Sequence, residues 1–329
     1  MRDPLPLRKL VPGFLLLMVT IALMTTTACR KAATWSDPSS HKSGFVTANG
    51  VRLHYLDWGG SGDTLLLLTG MGETAHIYDD LVPKFTDRFH VLGLTRRGQG
   101  QSEKPETGYD TATLVEDIRQ FLDAMNIERV SLVGHSLAGD ELTMFAARFP
   151  QRVDKLVYLD AAYDHSTLPS QDELWAMFPP FPVRDNRSFD ASKAWEKKFF
   201  RAMTPAIEAD LRAGYVLHDD GRLEDVIPAR VYKALLKSAQ PNPAYSEVKA
   251  PALSFYADDF WPDLIPNENR GKAAITLKAL SQWQTVERER FRQGMPHARI
   301  VMMPDTSHYC FIQRESQVVR EMRAFLLQE

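Results

Sequence analysis

The stretch SLVGHSLAGDE (131–141) sets one hydroxyl, that of Ser136, among small residues: Gly134 before it, Ala138 and Gly139 after it. A serine hydroxyl is a weak nucleophile until a base removes its proton and an acid orients that base. Gly134 lets the chain pass closely, so Ser136 can top a tight turn from strand to helix. The formal pattern G-x-S-x-G has alanine here at 138, with glycine arriving at 139. The base is expected after the last strand. His308, in DTSHYCFIQ, follows ARIVMMPD (298–305) and precedes a helical pattern at Val318 to Leu327. His135 flanks the serine and reads as packing, while His76 lies in a loop from which it could touch substrate. For the acid the residues leave alternatives open, since Asp160 ends KLVYLD and both Asp258 and Asp259 end SFYADD.

These groups need a scaffold, and the apolar runs supply one. FVTANGVRLHYLDWGG (45–60) alternates apolar and polar residues around Asn49-Gly50, which reads as a hairpin. TLLLLTG (64–70), FHVLGLTR (89–96), VSLVG (130–134), KLVYLDAA (155–162) and PALSFYAD (251–258) are short and apolar on both faces. Such strands belong in a parallel sheet covered by helices. TATLVEDIRQFLDAMN (111–126), DELTMFAARFP (140–150) and a long stretch at 270–293 fit helices between them. The alternation argues an α/β architecture. From 164 to 250 the pattern changes to prolines, aromatics and short amphipathic helices, inserted at a strand's C-terminal end where ligands bind in open sheets. This segment is expected to be a helical cap. Its Trp175, Phe178, Phe181, Trp195, Phe199 and Phe200 either line a substrate pocket or form the cap's own core.

The first residues read differently. Arg8 and Lys9 precede an apolar run, Val11 to Ala28, that ends in small residues before Cys29. This is the layout of an export signal over 1–29, or of an uncleaved membrane anchor. The TTAC ending is similar to the cleavage box of bacterial lipoproteins, which would lipidate Cys29 and put the protein in the periplasm or on the cell envelope. Residues 30–44 read as a flexible tether, and 45–163 and 251–329 as the two parts of one core. The 329-residue chain carries a formal charge of −3 with both signs interspersed. A nucleic-acid partner is not expected, because it would want a basic stripe. Cys29 and Cys310 are the only cysteines, too few for a thiolate zinc site. No Walker lysine or GxGxxG accompanies TGMG, so no nucleotide is expected. The reading calls for no cofactor and no metal.

TGMG (69–72), RRGQGQS (96–102), GHSLAG (134–139), FPQRVDKLVYLD (149–160) and SHYCFIQ (307–313) together resemble the α/β-hydrolase superfamily over essentially all of 45–329. The resemblance implies an α/β fold, a mostly parallel central sheet flanked by helices, with the cap inserted. In most members the acid follows the later strand, which points to Asp259, although Tyr256 stands where a glycine is usual. A minority, such as the haloalkane dehalogenases, carry it at the end of the preceding strand, which points to Asp160. Asp160 is favoured here and Asp259 is the alternative. Backbone N–H groups of Leu137, after the nucleophile, and Met71, in TGMG, are expected to form the oxyanion hole. Thr69 stands where relatives usually have histidine. Arg96 or Arg97 should tie the neighbouring loops together.

Serine at the turn makes the superfamily's dehalogenases and epoxide hydrolases poor matches, because their alkylated intermediate needs a carboxylate nucleophile. Serine suits acyl transfer. The expected activity is hydrolysis of a carboxylic ester, including a lactone, with a small apolar or aromatic substrate. C–C bond, amide or perhydrolase chemistry on the same residues is the alternative within catalysis, and a non-catalytic envelope binding protein the alternative outside it.

Overall fold

The computed structural model describes residues 35–328 except 171, 179–187, 220–221, 240 and 259–263, and the side chains of 173–175. The chain divides into two units, Met1–Ser36 and Asp37–Glu329, and every element below belongs to the second. The apolar run, Cys29 and the alternative acid Asp259 lie outside the described residues.

β1 (Lys42–Ala48) and β2 (Val51–Gly59) form the expected antiparallel hairpin. Its turn residues, Asn49 and Gly50, both have positive φ (48° and 74°), as a two-residue hairpin turn matched to strand twist requires. β1 begins at Lys42, inside the segment read as a tether, because Lys42 and Ser43 already pair with Asp57 and Leu56. There follow β3 (Asp63–Leu68), β4 (Phe89–Leu94), α1 (Thr111–Ala124), β5 (Val130–His135), α2 (Ala138–Arg148) and β6 (Val153–Leu159). The inserted segment contributes α3 (Asp172–Met177), α4 (Phe189–Phe199), α5 (Pro205–Gly214), the small hairpin β7 (Tyr215–Leu217) and β8 (Leu223–Asp225), and α6 (Ala229–Leu236). The chain returns as β9 (Ala252–Ala257), α7 (Arg270–Gly294), β10 (Arg299–Met303), α8 (Cys310–Gln313) and α9 (Glu315–Leu326).

The main sheet runs β1-β2-β4-β3-β5-β6-β9-β10, with β2 antiparallel to both neighbours and every pair from β4 onward parallel. Successive side chains of a strand point to opposite faces, and the core divides on that rule. Leu65 and Leu67, Val157 and Leu159, and Leu253 and Phe255 pack into one apolar layer. Leu66 and Leu68, Leu156 and Tyr158, and Ala252 and Tyr256 pack into the other. α1 covers the second layer with Val115, Ile118, Phe121 and Leu122, one stripe at helical spacing. Asp110 starts that helix by accepting a hydrogen bond from the Thr113 N–H, and Asn126, at φ 56°, follows its end. α9 covers the first layer with Val318, Met322, Phe325 and Leu326. Each such side chain, once buried, is worth about 1.5–3 kcal/mol. Parallel strands all end at one sheet edge, so the loops after β3, β5, β6, β9 and β10 gather there.

Candidate active site

Ser136 sits between β5 and α2 with φ at 54°, in the left-handed region. A non-glycine residue held there costs about 1–3 kcal/mol. Packing at both ends of the turn holds it. The Ser136 N–H donates to the Leu159 carbonyl (3.4 Å) and its own carbonyl accepts from the Gly139 N–H (2.9 Å). A methyl on Gly139 would stand 1.8 Å from the Ala161 carbonyl oxygen, so this glycine is what lets α2 approach the end of β6. Ala138 is fully buried. A methyl on Gly134 would meet the Ala138 Cβ at 3.0 Å and Leu142 at 2.6 Å. The bare Gly134 therefore leaves the room that the departure at 138 requires.

Asp160 follows β6 and is also left-handed (φ 49°). Its carboxylate is enclosed by donors. Oδ1 accepts from the Ala257 N–H (3.0 Å) and the Tyr163 hydroxyl (2.5 Å), and Oδ2 lies 2.6 Å from His308 Nδ1. Gln284 donates in turn to the Tyr163 oxygen (3.2 Å). An acid held by three partners fixes both the tautomer and the plane of the imidazole it faces. His308 follows β10, and its side chain keeps 25% exposure where Asp160 keeps 3%. Burial pulls the imidazole below its ordinary pKa and the adjacent His135 adds to this, while Asp160 and Glu73 oppose it.

Ser136, Asp160 and His308 line one cavity of about 410 Å³ together with Met71, Glu73, Tyr163, Phe199 and Trp283. That volume falls within the range of small-molecule sites. Leu137 is the residue preceding α2. Neither the Met71 nor the Leu137 N–H donates to any described residue. Two other aspartates near these strand ends are engaged elsewhere. Asp258 accepts from the Asp305 N–H (2.8 Å), and Asp164 accepts from the Asn242 N–H (2.9 Å) and pairs with Arg290.

The loop carrying Met71 is clamped from below by residues the sequence reading only partly foresaw. Arg96 donates to the Thr69 carbonyl (2.8 Å) and the Gly70 carbonyl (3.0 Å), and pairs with Glu141 on α2. Gln99 donates to the Gly70 and Glu73 carbonyls (3.0 and 2.8 Å) and accepts from the Gly72 N–H (2.9 Å). Arg97 pairs instead with Asp117 of α1. Glu73 went unnoticed in the sequence, where a lone acid in a loop gives no signal. It accepts from the Gly70 N–H (2.6 Å) and its other oxygen lies 2.7 Å from His135 Nδ1. Burial alone would raise Glu73, but the His135 ring and the Gly70 N–H outweigh it and hold the carboxyl below its ordinary range. The far nitrogen of His135 donates to the His308 carbonyl (3.0 Å). His135 thus ties the Met71 loop to the His308 loop. Asp210 of α5 accepts twice from Thr74 (2.7 Å each). Burial, reinforced by Glu73, pushes its carboxyl up to about 7. His76, whose loop offered a contact with substrate, turns to Asp79 (2.9 Å).

Of the aromatics in the inserted segment, Phe178 and Phe200 join the apolar core. Phe199 lines the cavity and Trp195 stacks on it at 4.8 Å. Trp175 and Phe181 lie outside the described side chains.

The fold and this cavity define a class. Residues 63–195 match the family model described as the alpha/beta hydrolase fold. A cis-3-alkyl-4-alkyloxetan-2-one decarboxylase of Shewanella oneidensis is 31% identical over 87% of this chain and 88% of its own. The chain belongs to the alpha/beta hydrolase fold family. It is also similar to a 2-(acetamidomethylene)succinate hydrolase of Mesorhizobium japonicum, 27% identical over 76% of this chain and 83% of the relative. An uncharacterized protein of Mycobacterium tuberculosis is 38% identical, but there the match spans 36% of this chain and about a third (34%) of the relative. Among solved structures, E-2-(acetamidomethylene)succinate hydrolase superimposes with a TM-score of 0.69 at 21% identity, covering 87% of this chain and 99% of that one. The enol-lactonase from Burkholderia xenovorans superimposes at 0.63, also at 21% identity, over 87% and 100%. At those identities the superpositions speak for the fold.

Proposed function

We propose that the protein hydrolyses a carboxylic ester, lactones included, through an acyl-enzyme on Ser136. The observation that carries this reading is a serine on a strained turn opening on the same cavity as an Asp160–His308 pair 2.6 Å apart. His308 takes the hydroxyl proton as Ser136 adds to the carbonyl carbon, and Asp160 holds the resulting imidazolium. The free N–H groups of Met71 and Leu137 meet the charge that develops on the carbonyl oxygen, and one such donor is worth about 3 kcal/mol. His308 then gives its proton to the leaving alcohol. Water, deprotonated by the same imidazole, frees the acid and returns the enzyme.

The substrate we propose is neutral and partly apolar, and the inserted helices act as the cap over it. Leu168, Phe199, Leu236 and Trp283 give the cavity apolar walls, while Glu73 and Asp172 bring carboxylates. No described residue of the lining is lysine or arginine. A dicarboxylate, such as the one in the Mesorhizobium relative's name, would find no described lysine or arginine there. For location we propose export to the cell envelope with lipidation at Cys29, supported by the basic start, the apolar run and the TTAC ending.

The test is fluorophosphonate labelling beside a panel of p-nitrophenyl esters and lactones. Wild type should label and turn over neutral esters, and Ser136→Ala should do neither. Folded wild type that neither labels nor turns over any member would leave a non-catalytic envelope binding protein. Labelling with turnover confined to amides or C–C bonds would move the reaction but keep the residues.

A further inference from the structure

Outside the cavity lining, four side chains converge from two stretches of chain. Asp37 and His41 come from the segment leading into β1, His76 and Asp79 from the 3₁₀ turn Ala75–Tyr78 and its C-cap. We infer that Asp37, His41, His76 and Asp79 bind a divalent transition-metal ion, with zinc the best match to their donors.

Geometry carries the inference. His41 Nε2 lies 3.2 Å from Asp37 Oδ2 and 3.7 Å from Asp79 Oδ1. His76 Nδ1 lies 3.3 Å from Asp37 Oδ2 and 2.9 Å from Asp79 Oδ2. A tetrahedron with zinc–ligand bonds of about 2.0–2.1 Å has edges of about 3.3–3.4 Å. The three contacts that use one oxygen per carboxylate, Oδ2 of Asp37 and Oδ2 of Asp79, scatter around that edge, and one donor atom from each residue can be chosen so that all lie within 4.8 Å of one another. Two imidazoles and two carboxylates form a donor set that suits zinc and leaves no oxidisable thiolate.

The surroundings are those of a supported site. The Trp58 indole N–H donates to Asp79 Oδ1 (2.8 Å) and the Ser39 N–H to Asp37 Oδ1 (2.8 Å). These bonds leave Asp37 Oδ2 toward both imidazoles and Asp79 Oδ2 toward His76, the task of outer partners around a metal. Nδ1 of the His41 ring is buried and has no hydrogen-bond partner among the described residues, so the ring's polar bonding there runs through Nε2 into the cluster. The neighbouring His54 does not belong to the set. Its two nitrogens are taken by Thr95 (3.2 Å) and Ser43 (3.0 Å). Four protein ligands close a zinc shell, which makes the role structural. The ion would fasten the entrance to β1 onto the turn that follows the Met71 loop. Two cysteines rule out a thiolate site but say nothing of these four ligands, which are not adjacent in the chain.

The competing account is a cluster of ion pairs with no metal, and one experiment separates the two. Untagged, chelator-treated full chain is titrated with Co²⁺ and followed by visible absorption, then by displacement with Zn²⁺. The expected result is one equivalent bound with the intense bands of tetrahedral cobalt, displaced by one equivalent of zinc, and a rise in Tm with zinc. His41→Ala and Asp37→Asn, checked for folding by circular dichroism, should bind at least about tenfold more weakly and lose the Tm response. Wild type that takes up no stoichiometric metal would overturn the inference, whether or not the variants fold. Uptake undiminished in folded His41→Ala would overturn it too.

Discussion

Ser136 and Asp160 both occupy left-handed backbone, and both end strands of the same sheet. The two strained residues follow neighbouring strands and both line the one cavity. For Asp160 the proposed role gives a sharp expectation. Asp160→Asn should lower kcat on the order of 10³–10⁴-fold, because the imidazole loses the partner that sets its tautomer. Asp258→Asn should leave the rate near wild type, since Asp258 serves the Asp305 N–H. Steady-state rates on one active ester check both. The pH profile follows from His308. A base works only when neutral, and burial lowers this group from its ordinary 6.5. It therefore stays neutral to lower pH, and the acid limb of kcat/KM should fall below 6.5. A limb above that value would contradict the assignment. Ser136 and His308 were legible because each has a strand before it and a helical pattern after it. The choice between Asp160 and Asp259 was not, because it depends on which strand end lies beside the histidine loop. Glu73 gave no signal, since its partners, the Gly70 N–H and the His135 ring, are identified only by the fold, and Gln99 was legible only as one residue of RRGQGQS.

Among the elements, α2 shows how closely packing can be specified. Gly139→Ala would gain about 1 kcal/mol of helix propensity. It would also drive a methyl to 1.8 Å from backbone oxygen, which cannot swing aside as a side chain tip can. The clash wins, and urea denaturation should find a loss of at least about 2 kcal/mol. The usual glycine of the serine motif falls one residue earlier, so the motif alone suggested a mild departure, whereas the contact moves the requirement to 139. Strands and long helices were legible from periodicity because each buries a continuous face. The β7–β8 hairpin was not, since its three-residue strands, with Val216 and Leu217 about half exposed, are too short to carry a period.

At the scale of the molecule, the proposed export and lipidation give their own test. Wild type should fractionate with bacterial membranes and label with a fatty-acid analogue, while Cys29→Ala should lose the label. A soluble, unlabelled wild type would dismiss the lipid anchor. Composition set the class, because alternating apolar runs and helical stripes leave few ways to bury both faces of a sheet. The sequence by itself determined the α/β layering, the serine turn and the late histidine, all of which depend on residues near one another in the chain. Tertiary structure alone decided that Asp160 meets His308, that Glu73 and His135 join two loops, and that Asp37 and His41 meet His76 and Asp79. Those meetings depend on the order β3-β5-β6-β9 and on the hairpin's pairing, which bring distant segments within a few ångströms. No local pattern encodes such proximity, because pairing of strands is a property of the folded whole.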